Sequence, residues 1–299
     1  MADVQRVDWT AERYHQDDRL SRSQLVDFED NTGVYFAVSV AKTQPRPLPS
    51  AAMELGTLFH LAVLEPGEWQ EQRAATEEHA KIPPPYAGEG AKKRREDWRA
   101  NLHPLDVEVT EAQRDALIAR HKLVDLMAGS LFVPRTPAAR AARNILDSSE
   151  REVTYLWRDM DPDLACGPID CRARLDLVNV TPKAARIVDL KSCADPTPRA
   201  FARAIGDRLY HWQAPFYSAP VFEQTGLRPD FAFIAVRSAP PFDVAVYQLR
   251  REHIDAADVQ VRRAMRRLSV CRQTNNWLSP WEKGGQYIDV PRWALEVAA

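Results

Sequence analysis

The segment "RARLDLVNVTPKAARIVDLKS", residues 172–192, predicts two β-strands joined by a tight turn. Both arms are β-rich apolar runs, and Pro182 suits the second position of the turn because its fixed φ is favoured there. Asp189 and Lys191 stand in the second arm, where a buried strand would carry apolar side chains. A carboxylate and an ammonium in such a strand require a physical reason.

The register of this hairpin brings two acids together. If the turn is centred between Pro182 and Lys183, Asp176 lies directly opposite Asp189. Opposed side chains on one face of a ladder are about 5 Å apart, and like charges there are destabilising.

Alternation along each strand predicts which side chains share a face. We expect one face of the second strand to carry Ile187, Asp189 and Lys191, and the other to carry Val188 and Leu190. In the first strand the same rule groups Arg174, Asp176 and Val178, with Leu175 and Leu177 on the reverse.

Two readings account for the opposed aspartates. A divalent cation would offset their repulsion, and Mg²⁺ prefers one or two carboxylates completed by waters and phosphate oxygens. Arg174 would instead neutralise one aspartate in a purely structural ion pair. The sequence favours the metal site, because this acid–x–Lys triplet ends a predicted strand beside a second acid.

A helix is predicted to follow this hairpin, with Thr197 as its N-cap and Pro198 at its first position. A core stripe occurs at helical spacing, and Tyr210, Gln213 and Tyr217 recur on another face, where they indicate either a solvated surface or a substrate contact. The stripe consists of Phe201, Ile205, Leu209, Trp212 and Phe216. Pro215 predicts a kink or an end of the helix.

The whole chain predicts an α/β protein of one domain over residues 1–299. Residues 1–150 are expected to be mainly helical, with an exposed, mobile insertion at about 80–108, and 151–250 to supply the sheet with an inserted helix. Residues 251–299 are expected to hold a C-terminal helix and a tail. Predicted helices cover about 51–64, Thr110 to Met127, 137–147 and 255–272.

Composition places the chain among ordinary soluble proteins. It has 299 residues, 45% hydrophobic and 27% charged, with a net charge of −2. No apolar run approaches the roughly 18 residues of a membrane span, and the N-terminus lacks a secretory signal, so we expect a cytoplasmic protein. The four cysteines form no CxxC pair, which disfavours a disulfide framework or an iron–sulfur cluster.

Taken together, these motifs resemble the PD-(D/E)xK nuclease superfamily, and within it the exonuclease VIII (RecE-type) and RecB-like branch of phage recombination modules. The core signature is Asp176 followed by Asp189-Leu190-Lys191, although Leu175 replaces the proline of the family name. "QAPFY", Gln213 to Tyr217, matches the Gln-x-x-x-Tyr motif of that branch, and "GTLFH", Gly56 to His60, matches its Gly-x-x-x-His motif. "LSRSQL" at residues 20–25 resembles its usual opening.

The resemblance implies a restriction-endonuclease-like core, with a central mixed β-sheet flanked by helices. It implies catalytic roles for Asp176, Asp189, Lys191, Gln213 and Tyr217. A Mg²⁺ ion, for which Mn²⁺ may substitute, would be held by His60, Asp176, Asp189 and the carbonyl of Leu190. From its sequence context alone, a single helical histidine such as His60 is more often structural.

The same resemblance implies an activity and partners. We expect a 5′-to-3′ exonuclease on linear double-stranded DNA that leaves 3′ overhangs, in a bacterial host cell and of cellular or phage origin. A ring-shaped homo-oligomer, trimeric or tetrameric, and a single-strand annealing protein are the implied partners. Alternatives are a Cas4-like or repair nuclease on single-stranded or flap DNA, a catalytically inert DNA-binding module, and an unrelated α/β protein with a salt-bridged hairpin.

Two basic segments are candidates for contact with the DNA backbone, although each pattern is more often a solvated face. The first lies in the predicted insertion, with Trp98 nearby for stacking on a base. The second lies on one face of the predicted C-terminal helix. These segments comprise Lys92, Lys93, Arg94 and Arg95, and Arg262, Arg263, Arg266 and Arg267.

Overall fold

A computed structural model describes residues 4–85, 88, 90–282, 284, 285 and 287–290. Its centre is a six-stranded sheet in the order β1-β4-β5-β6-β7-β8, in which only β6 and β7 are parallel neighbours. The strands are β1 (Gln5–Val7), β4 (Glu150–Asp159), β5 (Ile169–Val180), β6 (Ala185–Cys193), β7 (Asp230–Arg237) and β8 (Val244–Gln248), and the short β2 (Ala80–Lys81) and β3 (Val107–Glu108) form a separate parallel pair.

Helices cover both faces of the sheet. They are α1 (Ala11–Gln16), α2 (Arg22–Asp30), α3 (Thr32–Tyr35), α4 (Ala51–Leu64), α5 (Pro66–His79), α6 (Ala91–Ala100), α7 (Glu111–Phe132), α8 (Pro137–Ser148), α9 (Pro198–Asp207), α10 (Gln213–Thr225) and α11 (Arg251–Thr274), with a π-helical segment at Phe36–Val40. Helices α2, α10 and α11 pack on one face, and α4, α5, α7 and α8 pack on the other. The predicted mixed sheet flanked by helices is confirmed, whereas β1 and the π-helical segment were not foreseen.

The hairpin of β5 and β6 has the predicted register. Its ladder pairs Val180 with Ala185 and continues to Leu177 with Val188, so Asp176 and Asp189 occupy the next opposed positions. The β6–β7 crossover holds α9 and α10 between two parallel strands, as a connection of this kind requires.

The predicted alternation is right for β6 but wrong for β5. Leu175 and Val178 pack in the core under α10, whereas Leu177 packs in the core under α4. Leu175 and Leu177 therefore do not share a face, because the alternation shifts at Asp176, where β5 leaves its ladder with β6.

The helix predicted after Thr197 is interrupted. Helix α9 ends at Asp207, Leu209 takes a left-handed backbone with φ of 50°, and α10 begins at Gln213 after a 3-10 turn. Pro215 thus falls in the first turn of a new helix, where its missing N–H needs no partner, so the predicted kink at Pro215 is wrong. Pro220 is the proline inside α10.

The region predicted as an exposed insertion is organised around the β2–β3 pair. Helix α6 is exposed, as expected, but Arg95 and Arg99 both form ion pairs with Glu108 of β3. Residues 86, 87 and 89 of this region, and 283, 286 and 291–299 of the predicted tail, lie outside the described residues. The mobility of the region at about 80–108 and the single-domain organisation of the chain stay predictions.

Candidate active site

Asp176 and Asp189 approach each other where β5 and β6 separate. Oδ2 of Asp176 accepts a hydrogen bond from the backbone N–H of Leu190 at 2.7 Å, so a side chain takes the place of the next ladder bond. The side chain of Asp176 is 12% exposed and that of Asp189 only 3%. Two carboxylates are therefore held near each other with little access to solvent.

The electrostatics of this pair are unfavourable without a cation. Burial raises the pKa of Asp176, and the nearby charge of Asp189 raises that pKa further. Attraction from His60 and Lys191 and the hydrogen bond from Leu190 act in the opposite direction but do not cancel the effect. The two carboxylates therefore repel each other in the folded protein, and a bound cation would remove that repulsion.

Asp189 is bound on both of its oxygens. Nε2 of Gln213 donates to Oδ1 at 2.5 Å, and the ammonium of Lys191 forms an ion pair with Oδ2. Gln213 is brought there by the first turn of α10, which packs on the same face of the sheet as Asp189. The structure therefore places three of the predicted site residues in direct contact.

Tyr217 lies one helical turn beyond Gln213 and keeps the position expected from the Gln-x-x-x-Tyr motif. Its hydroxyl lies 3.4 Å from Nε2 of Gln213. Burial, followed by the charges of Tyr14 and Asp189, raises the pKa of Tyr217 well above its usual range. Tyr217 is accordingly a neutral hydroxyl that orients the amide.

His60 reaches the pair from the opposite face of the sheet. Its Nε2–H donates to the carbonyl of Leu190 at 2.6 Å, and its Nδ1 lies 3.8 Å from Oδ2 of Asp176. Gly56 eases this approach of α4 to β6, because a Cβ at that position would lie 3.2 Å from Oγ of Ser192, which would have to give by a few tenths of an ångström. The Gly-x-x-x-His motif thus has a steric explanation.

The ion-pair alternative for Arg174 is settled by its contacts. Its guanidinium binds Glu152 and Glu65 rather than either aspartate. Arg174 therefore does not neutralise the opposed pair.

Residues 136–284 match the family DUF3799, described as a "PDDEXK-like domain of unknown function". No curated protein matches the chain.

A crystal structure from Eubacterium rectale, described as a "putative exonuclease", is similar to this chain with a TM-score of 0.59 and 15% sequence identity. The similarity covers 98% of this chain and 100% of that chain. At this identity the likeness establishes a shared fold, which extends beyond residues 136–284 to the helices that precede them. The RecE-type branch stays a prediction.

The residues around Asp176 and Asp189 suit a hard divalent cation. Two carboxylates and the carbonyl of Leu190 are oxygen ligands, and Mg²⁺ commonly takes one or two carboxylates with waters and substrate phosphates. Within the described ranges, no group of three or more His, Cys, Asp or Glu side chains is placed to hold an ion unaided. An ion here would thus depend on main-chain oxygen, water and substrate, and His60 is placed to orient Leu190 and Asp176.

Two further residues near the site were not assigned by sequence reasoning. Nζ of Lys191 lies 4.8 Å from the ring centre of Tyr210, and the guanidinium carbon of Arg22 lies 5.9 Å from it. Arg22 also donates to the carbonyls of Arg208 and Leu209, where the helix is interrupted. Tyr210 was visible in the polar stripe, but Arg22 is far away in sequence and only the tertiary fold brings it near.

The two basic segments are largely paired with acids. Arg262 binds Asp159, Arg266 binds Asp161 and Asp163, and Arg267 binds Glu29, whereas Arg263 is exposed. In α6, Arg95 binds Glu108 and Lys92 lies 4.0 Å from Glu96, while Lys93 and Arg94 are exposed. Internal ion pairs reduce the charge that these predicted DNA contacts would offer to a phosphate backbone.

All four cysteines are free thiols. Burial raises the pKa of Cys171 and of Cys193, the latter to about 11, so both remain protonated.

In the part of the chain that the structure describes, no helix has the length and apolarity needed to cross a membrane.

Proposed function

We propose that the chain is a metal-dependent deoxyribonuclease that hydrolyses phosphodiester bonds at the Asp176–Asp189 site. The observation that carries the proposal is the buried, mutually repelling carboxylate pair with Lys191 bound beside it. Arg174, which could have neutralised one of these acids, binds Glu65 and Glu152 instead.

Each residue has a role in this proposal. Asp176, Asp189 and the Leu190 carbonyl would hold Mg²⁺, or Mn²⁺ in its place. His60, which the sequence resemblance implied as a further ligand, would instead orient the Leu190 carbonyl through its hydrogen bond. The ion, when bound, supplies charge stabilisation and acidifies a water. Lys191 would hold that water and offset charge that develops on the phosphate, for which a compact ammonium suits better than a guanidinium.

Gln213 and Tyr217 would fix the orientation of Asp189 rather than react. The amide of Gln213 is 5% exposed and bound to the carboxylate, so its rotation is restricted. An aspartate held in one orientation presents its free lone pairs to a cation without first losing side-chain entropy.

The finer activity is an extension of this proposal. We infer 5′-to-3′ digestion of linear double-stranded DNA, leaving 3′ overhangs, by a homo-oligomer that acts with a single-strand annealing protein. What supports it is the order of four motifs, from "LSRSQL" to "QAPFY", shared with the RecE-type branch.

Digestion of a linear duplex labelled at either the 5′ or the 3′ end, with Mg²⁺ or with chelator, tests both the nuclease site and the direction of digestion. The proposal expects Mg²⁺-dependent loss of label, none with chelator, and none with Asp189→Ala, which should still bind DNA. Asp207→Ala, at an exposed helix-end carboxylate, is the matched control and should digest normally. Digestion by Asp189→Ala would contradict the site, whereas cleavage of flaps or single strands alone would favour the Cas4-like or repair alternative.

A further inference from the structure

Arg174 joins three separate parts of the chain two residues before Asp176. Its Nη1 donates to the carbonyl of Trp9 at 2.6 Å, and its Nη2 lies 3.1 Å and 3.2 Å from the two carboxylate oxygens of Glu65. Its Nε donates to Glu152. With its side chain only 10% exposed, every nitrogen of this guanidinium has a protein partner.

Glu152 stands at the point where β5 changes its alternation. Arg151 pairs with Leu177 and Val153 pairs with Leu175, so Glu152 occupies the position across from Asp176. Its φ of 53° is left-handed, a conformation that costs a non-glycine residue roughly 1 kcal/mol or more. Such an outlier persists only where surrounding contacts determine it, and Arg174 supplies such a contact here.

Glu65 connects the same arginine to the helix that carries His60. It is the residue that ends α4, five positions after His60, and its backbone N–H bonds to the carbonyl of Leu61. Arg174 therefore fixes the end of α4 against β5, five residues beyond the point where His60 meets Asp176 and Leu190.

We propose that Glu65, Arg174 and Glu152, hereafter the carboxylate clamp, are positioning residues for the cation site. The clamp holds the backbone turn at Glu152 that directs Asp176 toward Leu190, and it holds α4 so that His60 reaches the same place. Its members touch neither the cation nor the DNA. This inference rests on the proposed function, since it concerns the same site.

The clamp has a measurable signature that differs from that of a ligand. Residues behind a metal ligand typically alter metal affinity by about 10- to 100-fold when they are removed. Loss of the clamp should therefore raise the Kd for Mn²⁺ and the Mn²⁺ concentration at half-maximal digestion by about that factor. The kcat at saturating Mn²⁺ should stay within about threefold of the wild type, because the reacting groups are retained.

Titration of Mn²⁺ alone into the full-length chain, followed by calorimetry and by thermal melting, provides the first readout. Glu152→Ala and Arg174→Met should each raise the Kd about 10-fold or more. Glu152→Gln, which can still accept the hydrogen bond from Arg174, should remain within about threefold of the wild type. Glu150→Ala is the matched control, because Glu150 lies on the same strand and pairs with Arg6 at the surface.

Glu152→Gly separates the backbone from the carboxylate. Glycine adopts the left-handed conformation freely, so this variant should fold well but lose Mn²⁺ affinity if the clamp acts as proposed. An unchanged Kd in both Glu152→Gly and Glu152→Ala, with only a lower melting temperature, would overturn the inference. If Arg174→Met fails to fold, the two Glu152 variants decide.

The same titrations distinguish failure of the clamp from failure of the proposed function. If the wild type does not bind Mn²⁺, or if Asp176→Asn binds it equally well, the nuclease site itself is wrong. If the wild type binds and the clamp variants bind equally well, only the positioning role is refuted. Loss of kcat at saturating Mn²⁺ in Glu152→Gln would also overturn it, because that would make Glu152 a reacting group or a ligand.

Discussion

Replacing Asp176 by asparagine should stabilise the metal-free protein while it destroys the site. Cβ atoms at opposed ladder positions are about 5 Å apart, and two unit charges at that separation would repel by about 3 kcal/mol at an effective dielectric constant of about 20. His60 and Lys191 offset part of this repulsion in the wild type. A net gain of about 1–2 kcal/mol is therefore expected, since the asparagine oxygen can still accept from Leu190.

Divalent cations should reverse the order of stability. Wild-type protein at a metal concentration about 100 times Kd gains about 2.7 kcal/mol, whereas Asp176→Asn should gain little. Thermal and urea unfolding at pH 8, with chelator and with Mg²⁺ or Mn²⁺, measure both effects. If Asp176→Asn is less stable than the wild type in chelator, the two carboxylates are already compensated internally, and the reasoning from repulsion to a cation is wrong.

Three further changes test separate parts of the site. Gly56→Ala should push α4 away from β6 and reduce digestion about 10-fold, because the contact of His60 would be lost. Adding Ser192→Ala to the same chain should restore most of the digestion activity. Digestion that is unaffected by Gly56→Ala would refute the steric account. Lys191→Arg should lower kcat by about 100-fold or more with DNA affinity retained, since the fork cannot replace a compact ammonium, and an active arginine variant would exclude that role. Burial and the charge of Asp176 raise the pKa of Glu152 from 4.5 to about 7, so the folded state binds this proton more tightly than the unfolded state does. The free energy of unfolding should therefore fall by about 3 kcal/mol as pH rises from about 4.5 to 7. In urea titrations Glu152→Gln should lack this pH dependence, and an identical dependence in both proteins would contradict the prediction.

Local patterns were sufficient to predict the hairpin and its register. Pro182 and the flanking β-rich runs fixed the turn, and the turn fixed the opposition of Asp176 and Asp189. Helix α4 was predicted with the observed bounds because its apolar segment stops before Pro66, and in the structure Ser50 caps its start. These features depend on residues close together in sequence, where alternation and capping rules apply.

Features that depend on distant contacts were missed or predicted wrongly. The shift of alternation at Asp176 requires the left-handed backbone of Glu152, which no pattern in residues 172–192 reveals. The interruption at Leu209 is held by Arg22 from the N-terminal helices, so the apolar stripe alone suggested one continuous helix. The basic residues of α11 were visible in the sequence, but the acids that pair with them, at the end of β4 and in the loop after it, were not.

A crystal of the full chain soaked in Mn²⁺, with anomalous scattering recorded, tests the central claim most directly. We expect a strong peak between the carboxylates of Asp176 and Asp189, also within coordination distance of the Leu190 carbonyl, and no such peak in Asp176→Asn. A map with Mn²⁺ bound elsewhere and none between these two aspartates would contradict the account.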